Sequence, residues 1–266
     1  MPQIRPLEGI PVGVSISEAE DLASGGFIRD DVNLVTVELC RRLLALGAQI
    51  VVGYRWQPGG IMEQITRFAQ AYHMESGASG APIVHNVMAW PDKASLSEFD
   101  REQLKDLVKI YEPEEPLERA AALTAMRQRV TQIAKGRVCL SGKMMSYEGS
   151  MPGLIEEAFL SIEQEQPVYI SAMMGGAAAA LIEWIRGRSD MRRLVPPATK
   201  IPERIWDLIE GNSDRRHETI AKLCRLSPRE LEELFSAQNL DTIIQLSTRG
   251  MCRSNGTEPE SALEVS

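Results

Sequence analysis

Residues 11–53 read PVGVSISEAEDLASGGFIRDDVNLVTVELCRRLLALGAQIVVG, and this stretch decides the fold. Pro11 to Ile16 is a short apolar run ending in Ser17 and Glu18, Gly25-Gly26 marks a turn, and Val32 to Leu46 carries apolar residues at helical spacing. Gly47 stops the helix, and Ala48 to Gly53 is apolar and β-branched. Two strands separated by a long amphipathic helix form the crossover that parallel pairing requires. The stretch predicts a βαβ unit.

Downstream the unit repeats. Gln57-Pro58-Gly59-Gly60 turns into a helical pattern over Ile61 to Tyr72, and Ile83 to Ala89 reads as a third strand. Pro91 to Pro116 is strongly charged and reads as an insertion, a solvated helix with loops. Leu117 to Lys135 is a helix and Arg137 to Leu140 a strand. Ser141 to Gly153 is a loop, Leu154 to Glu163 a helix and Pro167 to Ile170 a strand, after which Gly175-Gly176 opens an Ala-rich helix. The expected fold is α/β: a Rossmann-like parallel sheet with helices on both faces. Beyond Pro196-Pro197 the sheet signal ends. Ile201 to Gly250 reads as short helices, among them the capping-box start Ser227-Pro228-Arg229-Glu230. The expected organisation is a nucleotide-binding domain over 1–195 with the charged insertion at 91–116, a helical appendage over 196–252 and a disordered polar tail over 253–266.

Composition narrows the function classes. With 44% hydrophobic and 25% charged residues over 266 positions the chain can bury a sizeable core. A net charge of −8 disfavours broad binding to nucleic acid or an anionic membrane, while leaving room for a local basic pocket. Ala172 to Ile185 is too short and too rich in Ala and Gly to span a bilayer. No targeting segment is visible, and Cys40, Cys139, Cys224 and Cys252 form no close pair, so reduced thiols and a cytoplasmic location are expected. His73, His85 and His217 lack metal-ligand spacing, and neither a metal nor a cofactor is expected. Thr219 to Phe235 also reads as helix-turn-helix, but Ile201 to Gly250 holds seven Lys/Arg against nine Asp/Glu. That balance is poor for a phosphate-binding face, so a cap or oligomer contact is expected there instead.

In open parallel sheets ligands bind at the carboxyl ends of the strands. Ser15, Ser17 and Glu18 follow the first strand, and Arg55 with Gly59 and Gly60 the second. Ser141, Gly142, Lys143, Gly149, Ser150 and Gly153 follow the fourth, with Glu156 just inside its helix, and Gly175 and Gly176 follow the fifth. Glycine lets a phosphate approach backbone N–H groups and a helix N-terminus favours an anion, although such turns also use Gly for conformation alone. Lys143 reads as a phosphate contact or a plain surface charge. Tyr54, Arg55, Trp56 and Tyr147 offer stacking on a base, with at most one of the aromatics expected to do so. No stretch spells G-x-G-x-x-G or a P-loop.

A resemblance then emerges. Met126-Arg127-Gln128-Arg129, the strand Arg137 to Leu140, Gly149-Ser150-Met151-Pro152-Gly153-Leu154-Ile155-Glu156-Glu157 and Gln166-Pro167-Val168-Tyr169 follow one another in a telling order. That order resembles M-x-x-R-K, strand, P-G-G-x-G-T-x-E-E and K-P-V of the Lonely Guy cytokinin-activating hydrolases. Gly59-Gly60-Ile61-Met62 is similar to that family's first Gly-rich loop. More broadly, residues 9 to 190 resemble the SLOG superfamily, which also contains nucleotide-ligand sensors of bacterial Thoeris anti-phage systems and of TRPM channels. The resemblance implies Arg129 and Glu157 as catalytic residues if the chain is a hydrolase. It departs from the motif at Val130, Gly149, Ser150, Met151, Pro152 and Leu154. Sensor members depart similarly.

Two functions follow from that resemblance. The first is a sensor of a nucleotide-derived ligand, of the ADP-ribose or cyclic ADP-ribose class, in bacterial signalling or anti-phage defence. The second is a phosphoribohydrolase that splits nucleoside 5′-monophosphates into base and ribose 5-phosphate. A homo-oligomer, at least a dimer, is expected, with a separate protein as effector partner.

Overall fold

The structure is a computed structural model that describes residues 5–57, 59–76, 82–92, 96–113, 115–193, 195, 201 and 203–256. β1 (Pro11–Ser17), α1 (Arg29–Ala45) and β2 (Gln49–Val52) form the βαβ unit read from residues 11–53. α1 begins earlier than its apolar pattern because Asp30 and Asp31 fill its first turn and the Ile28 N–H donates to Asp31 Oδ2 at 2.7 Å. The chain continues through α2 (Ile61–Ser76), β3 (Val84–Val87), α3 (Glu98–Leu104), β4 (Val108–Tyr111) and α4 (Arg119–Ile133). Then come β5 (Gly136–Ser141), α5 (Gly153–Glu163), β6 (Val168–Ser171) and α6 (Gly176–Ile185).

All pairings are parallel, and the strand order is β4-β3-β2-β1-β5-β6. β1 to β4 are laid down in one direction, and α4 then carries the chain back across the sheet to place β5 on the other side of β1. The order therefore reverses between β1 and β5, where Ser15 pairs with Cys139 and Ser17 with Ser141. Such a switch point leaves a crevice at the carboxyl ends of its two strands. A small separate core lies under α4, where Leu123, Met126 and Val130 cover Val51, Val87 and Ala89. The main core continues from the sheet into the C-terminal helices.

Two expectations change. The stretch 91–116, read as an insertion, carries α3 and the edge strand β4, whose Val108 pairs in register with Val84 and whose Tyr111 pairs with Val87. Charged residues such as Lys109 mask an edge strand, since its free side faces water. Of the C-terminal helices, α7 (Glu203–Glu210) packs on α5, while α8 (Ser213–Cys224), α9 (Pro228–Phe235) and α10 (Leu240–Ser254) cover the β6 edge. The Tyr169 hydroxyl donates to the Cys224 carbonyl at 3.3 Å and the Ser171 hydroxyl to the Ala237 carbonyl at 3.1 Å. A Cβ at Gly250 would lie 2.3 Å from the Cys224 carbonyl oxygen, so only glycine allows α10 to cross α8 this closely. α8 and α9 do form a helix-turn-helix, but Leu231, Leu234 and Phe235 are buried and Glu232 pairs with Arg186. α10 runs past Arg253, where the tail was expected; residues 257–266, Pro58 and the expected boundary Pro196-Pro197 lie outside the described residues. No helix among the described residues is long and apolar enough to cross a membrane.

Candidate ligand-binding site

A cleft of about 250 Å³ opens at the switch point. Its walls are Ser15 and Ser17 of β1, Gly53 and Tyr54 after β2, Leu123, Met126, Arg127 and Val130 of α4, Arg137 of β5, and Gly153, Leu154 and Glu157 of α5. Alternation along β1 and β5 brings Ser15 and Arg137 onto the face beneath α4 and α5.

Arg137 is fully buried and every part of its guanidinium is engaged. Nη1 donates to Ser15 Oγ at 2.6 Å and to Glu157 Oε2 at 3.0 Å, Nε to Ser161 Oγ at 3.0 Å, and Nη2 to Thr131 Oγ1 at 2.9 Å. The Ser15 hydroxyl donates in turn to Glu157 Oε2. Glu157 is thus a carboxylate with one oxygen tied down and the other, Oε1, 3.7 Å from Arg127 Nε. Arg127 is also buried. It pairs with Glu156, which further accepts from the Thr124 hydroxyl, and its Nε has no hydrogen-bond partner among the described residues. Two arginines face two glutamates, so the site is compensated in charge and nearly complete in hydrogen bonds. Buried ions are tolerated only under those conditions.

The glycines of the β5–α5 loop have a specific use. A Cβ at Gly153 would lie 2.5 Å from Arg127 Nη2, and one at Gly149 would lie 2.7 Å from Nη1. Their bare backbones let the guanidinium rest against the N-terminus of α5, whose cap residue Pro152 supplies no side-chain acceptor. A cation and a helix N-terminus therefore meet beside a fixed carboxylate. Below them the Tyr54 hydroxyl donates to the Ile16 carbonyl at 2.8 Å, and burial pushes its pKa up. Burial likewise raises the Cys139 thiol to about 12.

The structure brings together only part of the expected set. Ser15, Ser17, Gly153 and Glu157 line the cleft, with Gly149 and Glu156 directly behind Arg127. Arg129 does not join them. It is exposed on the other flank of α4, 5.2 Å from the Tyr111 ring centroid, and the arginine that α4 gives the cleft is Arg127. The remaining glycine turns already hold carboxylates of the chain itself. The Gly59 N–H donates to Glu63, the Met144 and Met145 N–H groups beside Lys143 donate to Glu20, and the Gly176 N–H donates to Asp21. Those two N–H groups lower the Glu20 pKa against the opposing effect of burial. Glu18 pairs with Arg29 and Arg55 with Asp92. Gly142 accepts from the Ala177 N–H, next to Gly175 and Gly176, while Gly60 lies at the start of α2. Ser141 is fully buried and Ser150 exposed on the loop. Trp56 belongs to the core.

Arg127 and Arg137 are the residues that the sequence reading passed over. Arg127 falls on the buried stripe of α4, four positions after Leu123 and three before Val130, which Arg129 does not. Arg137 stands inside an apolar strand, where an unpaired charge is not tolerated; that oddity is itself a signal.

A family model described as SLOG cluster2 matches residues 6–116 and 102–199. The chain belongs to the SLOG cluster2 family. The match takes in every strand of the sheet, the cleft and the stretch 91–116 that carries α3 and β4. No curated protein matches the chain. Membership in SLOG supports a nucleotide-related ligand-binding or Lonely Guy-like role. Among the described residues no group of three His, Cys, Asp or Glu is placed to hold a metal ion.

Proposed function

We propose that this SLOG protein is a sensor of a nucleotide-derived ligand of the ADP-ribose or cyclic ADP-ribose class, acting in bacterial signalling or anti-phage defence. The observation that carries this reading is the seat of Arg127 on Gly149 and Gly153 at the α5 N-terminus, beside Glu157. The cation and the helix end suit a phosphate, and a carboxylate whose Oε1 accepts no hydrogen bond among the described residues suits ribose hydroxyls. Arg137 favours recognition over hydrolysis. A carboxylate already neutralised by a buried guanidinium has less field left to stabilise an oxocarbenium-like centre. On this reading the signal passes to a separate effector protein, and the chain works as a homodimer.

Phosphoribohydrolase activity is the second reading, favoured by an arginine and a glutamate sharing one cleft. Incubation with AMP, GMP, CMP and UMP, followed by chromatography for free base, separates the two. The sensor releases none above the buffer control, whereas steady release that disappears in Glu157→Gln reverses the assignment.

A further inference from the structure

Two further cavities lie beside the cleft at the switch point. A neck of about 80 Å³, sharing Gly53, Tyr54, Leu123 and Met126 with it, leads over the end of β2. The neck shares Met88 and Met126 as walls with a second cleft of about 520 Å³ over β3 and β4. From β1 to β4 the sheet advances three strand spacings, roughly 14 Å.

The two clefts differ in chemistry. The first is small and lined by hydroxyls, two arginines and a carboxylate. The second is larger, with Trp90, Tyr111, Leu117, Met126 and Arg129 among its walls and Glu112 and Glu115 contributing carboxylates. Lys109 Nζ lies 5.1 Å and the Arg129 guanidinium 5.2 Å from the Tyr111 ring centroid. Neither cation has an ion-pair partner among the described residues; Arg129 donates only to the neutral Gln132 side chain, at 3.3 Å. In the neck Arg55 and Arg119 converge on one carboxylate, Asp92, and Arg119 also pairs with Glu148.

We propose that the second cleft is a base subsite, and that the ligand is a nucleotide extended through a phosphate bridge. Its purine ring lies against Trp90, Tyr111 and Arg129, its bridge crosses the neck, and its far sugar or phosphate meets Arg127 and Glu157. Aromatic faces and an arginine plane stack on a base whatever its edges carry. This rests on the nucleotide reading above and adds both the length of the ligand and its direction.

The test is calorimetric titration of ADP-ribose and of ribose 5-phosphate into the parent chain and two variants. Arg129→Gln removes one of the two cations beside Tyr111, and Ala125→Trp fills the second cleft from an exposed position of α4. The parent should bind ADP-ribose at least tenfold tighter than ribose 5-phosphate. Each variant should lose most of that advantage and keep its affinity for ribose 5-phosphate. An unchanged ratio in both variants overturns the subsite alone, whereas failure of the parent to bind either compound overturns the nucleotide reading with it. Light scattering on Ala125→Trp supplies the remaining arm. A parent dimer that becomes monomeric while its ADP-ribose affinity stays unchanged would make the second cleft a contact between copies, and would also overturn the subsite.

Discussion

Arg137 and Glu157 hold the site together. Removing one member of a buried pair leaves the other without compensation, which costs more than the pair contributes. Arg137→Met should therefore lower unfolding stability by about 3 kcal/mol in urea titrations. The double variant Arg137→Met/Glu157→Gln should lose less than the sum of the singles, by about 1 kcal/mol or more. Strict additivity would mean that the two residues are not coupled. At Gly153 the expectation is different, because Gly153→Ala places a methyl on the Arg127 guanidinium and displaces it from the α5 N-terminus. A thermal shift with ADP-ribose that survives this substitution would remove Arg127 from the binding account. The residue scale is also where the sequence was least legible. Glu157 and Gly153 could be read from their motif, but the motif drew attention to Arg129 while helical phase places Arg127 in the cleft. Carboxylates that fill the other glycine turns, Glu20, Asp21 and Glu63, come from loops and a helix whose approach no local pattern announces.

Elements were read with better success where their signals are local. The βαβ unit at 11–53 and the capping box at Ser227 and Glu230 both stand as read: the Ser227 N–H donates to Glu230 Oε2 at 2.8 Å and the Glu230 N–H to Ser227 Oγ at 3.2 Å. β4 was missed because four residues at a charged edge carry little periodicity. Glu230 also yields a pH prediction. Burial opposes its charge, but Arg253, Arg249 and the Ser227 N–H outweigh it and hold the pKa at about 2. With its folded pKa depressed, Glu230 contributes stability that is fully present above about pH 4.5 and is lost as the pH falls towards 2. Melting curves of Glu230→Gln should thus converge on the parent as the pH drops through that window. A constant gap between the two would contradict the assignment. On α10, Gly250→Ala should cost about 2 kcal/mol, since its methyl must push α8 away; an unchanged urea midpoint would show that the crossing can relax.

At the scale of the molecule, parallel topology explains why the cleft lies where it does. α4 returns across the sheet, opens the crevice between β1 and β5, and supplies Arg127 along the same path. The parallel sheet was legible from the alternation of strands and helices, and a cap or oligomer contact was expected of the C-terminal helices. The strand order was not legible, nor was the edge that those helices cover. The covering of β6 depends on long-range contacts such as Tyr169 with Cys224 that leave no periodic trace. On the sensor reading, the crevice binds a nucleotide-derived ligand in the folded state. The most direct test of that claim is the melting temperature of the parent chain titrated with ADP-ribose, cyclic ADP-ribose and AMP. A ligand at a hundredfold excess over its Kd adds about 2.7 kcal/mol, which for a chain of this size raises the melting temperature by roughly 5 to 10 °C. A concentration-dependent rise of that order with the ADP-ribose compounds is expected, and a flat response to all three would contradict the claim.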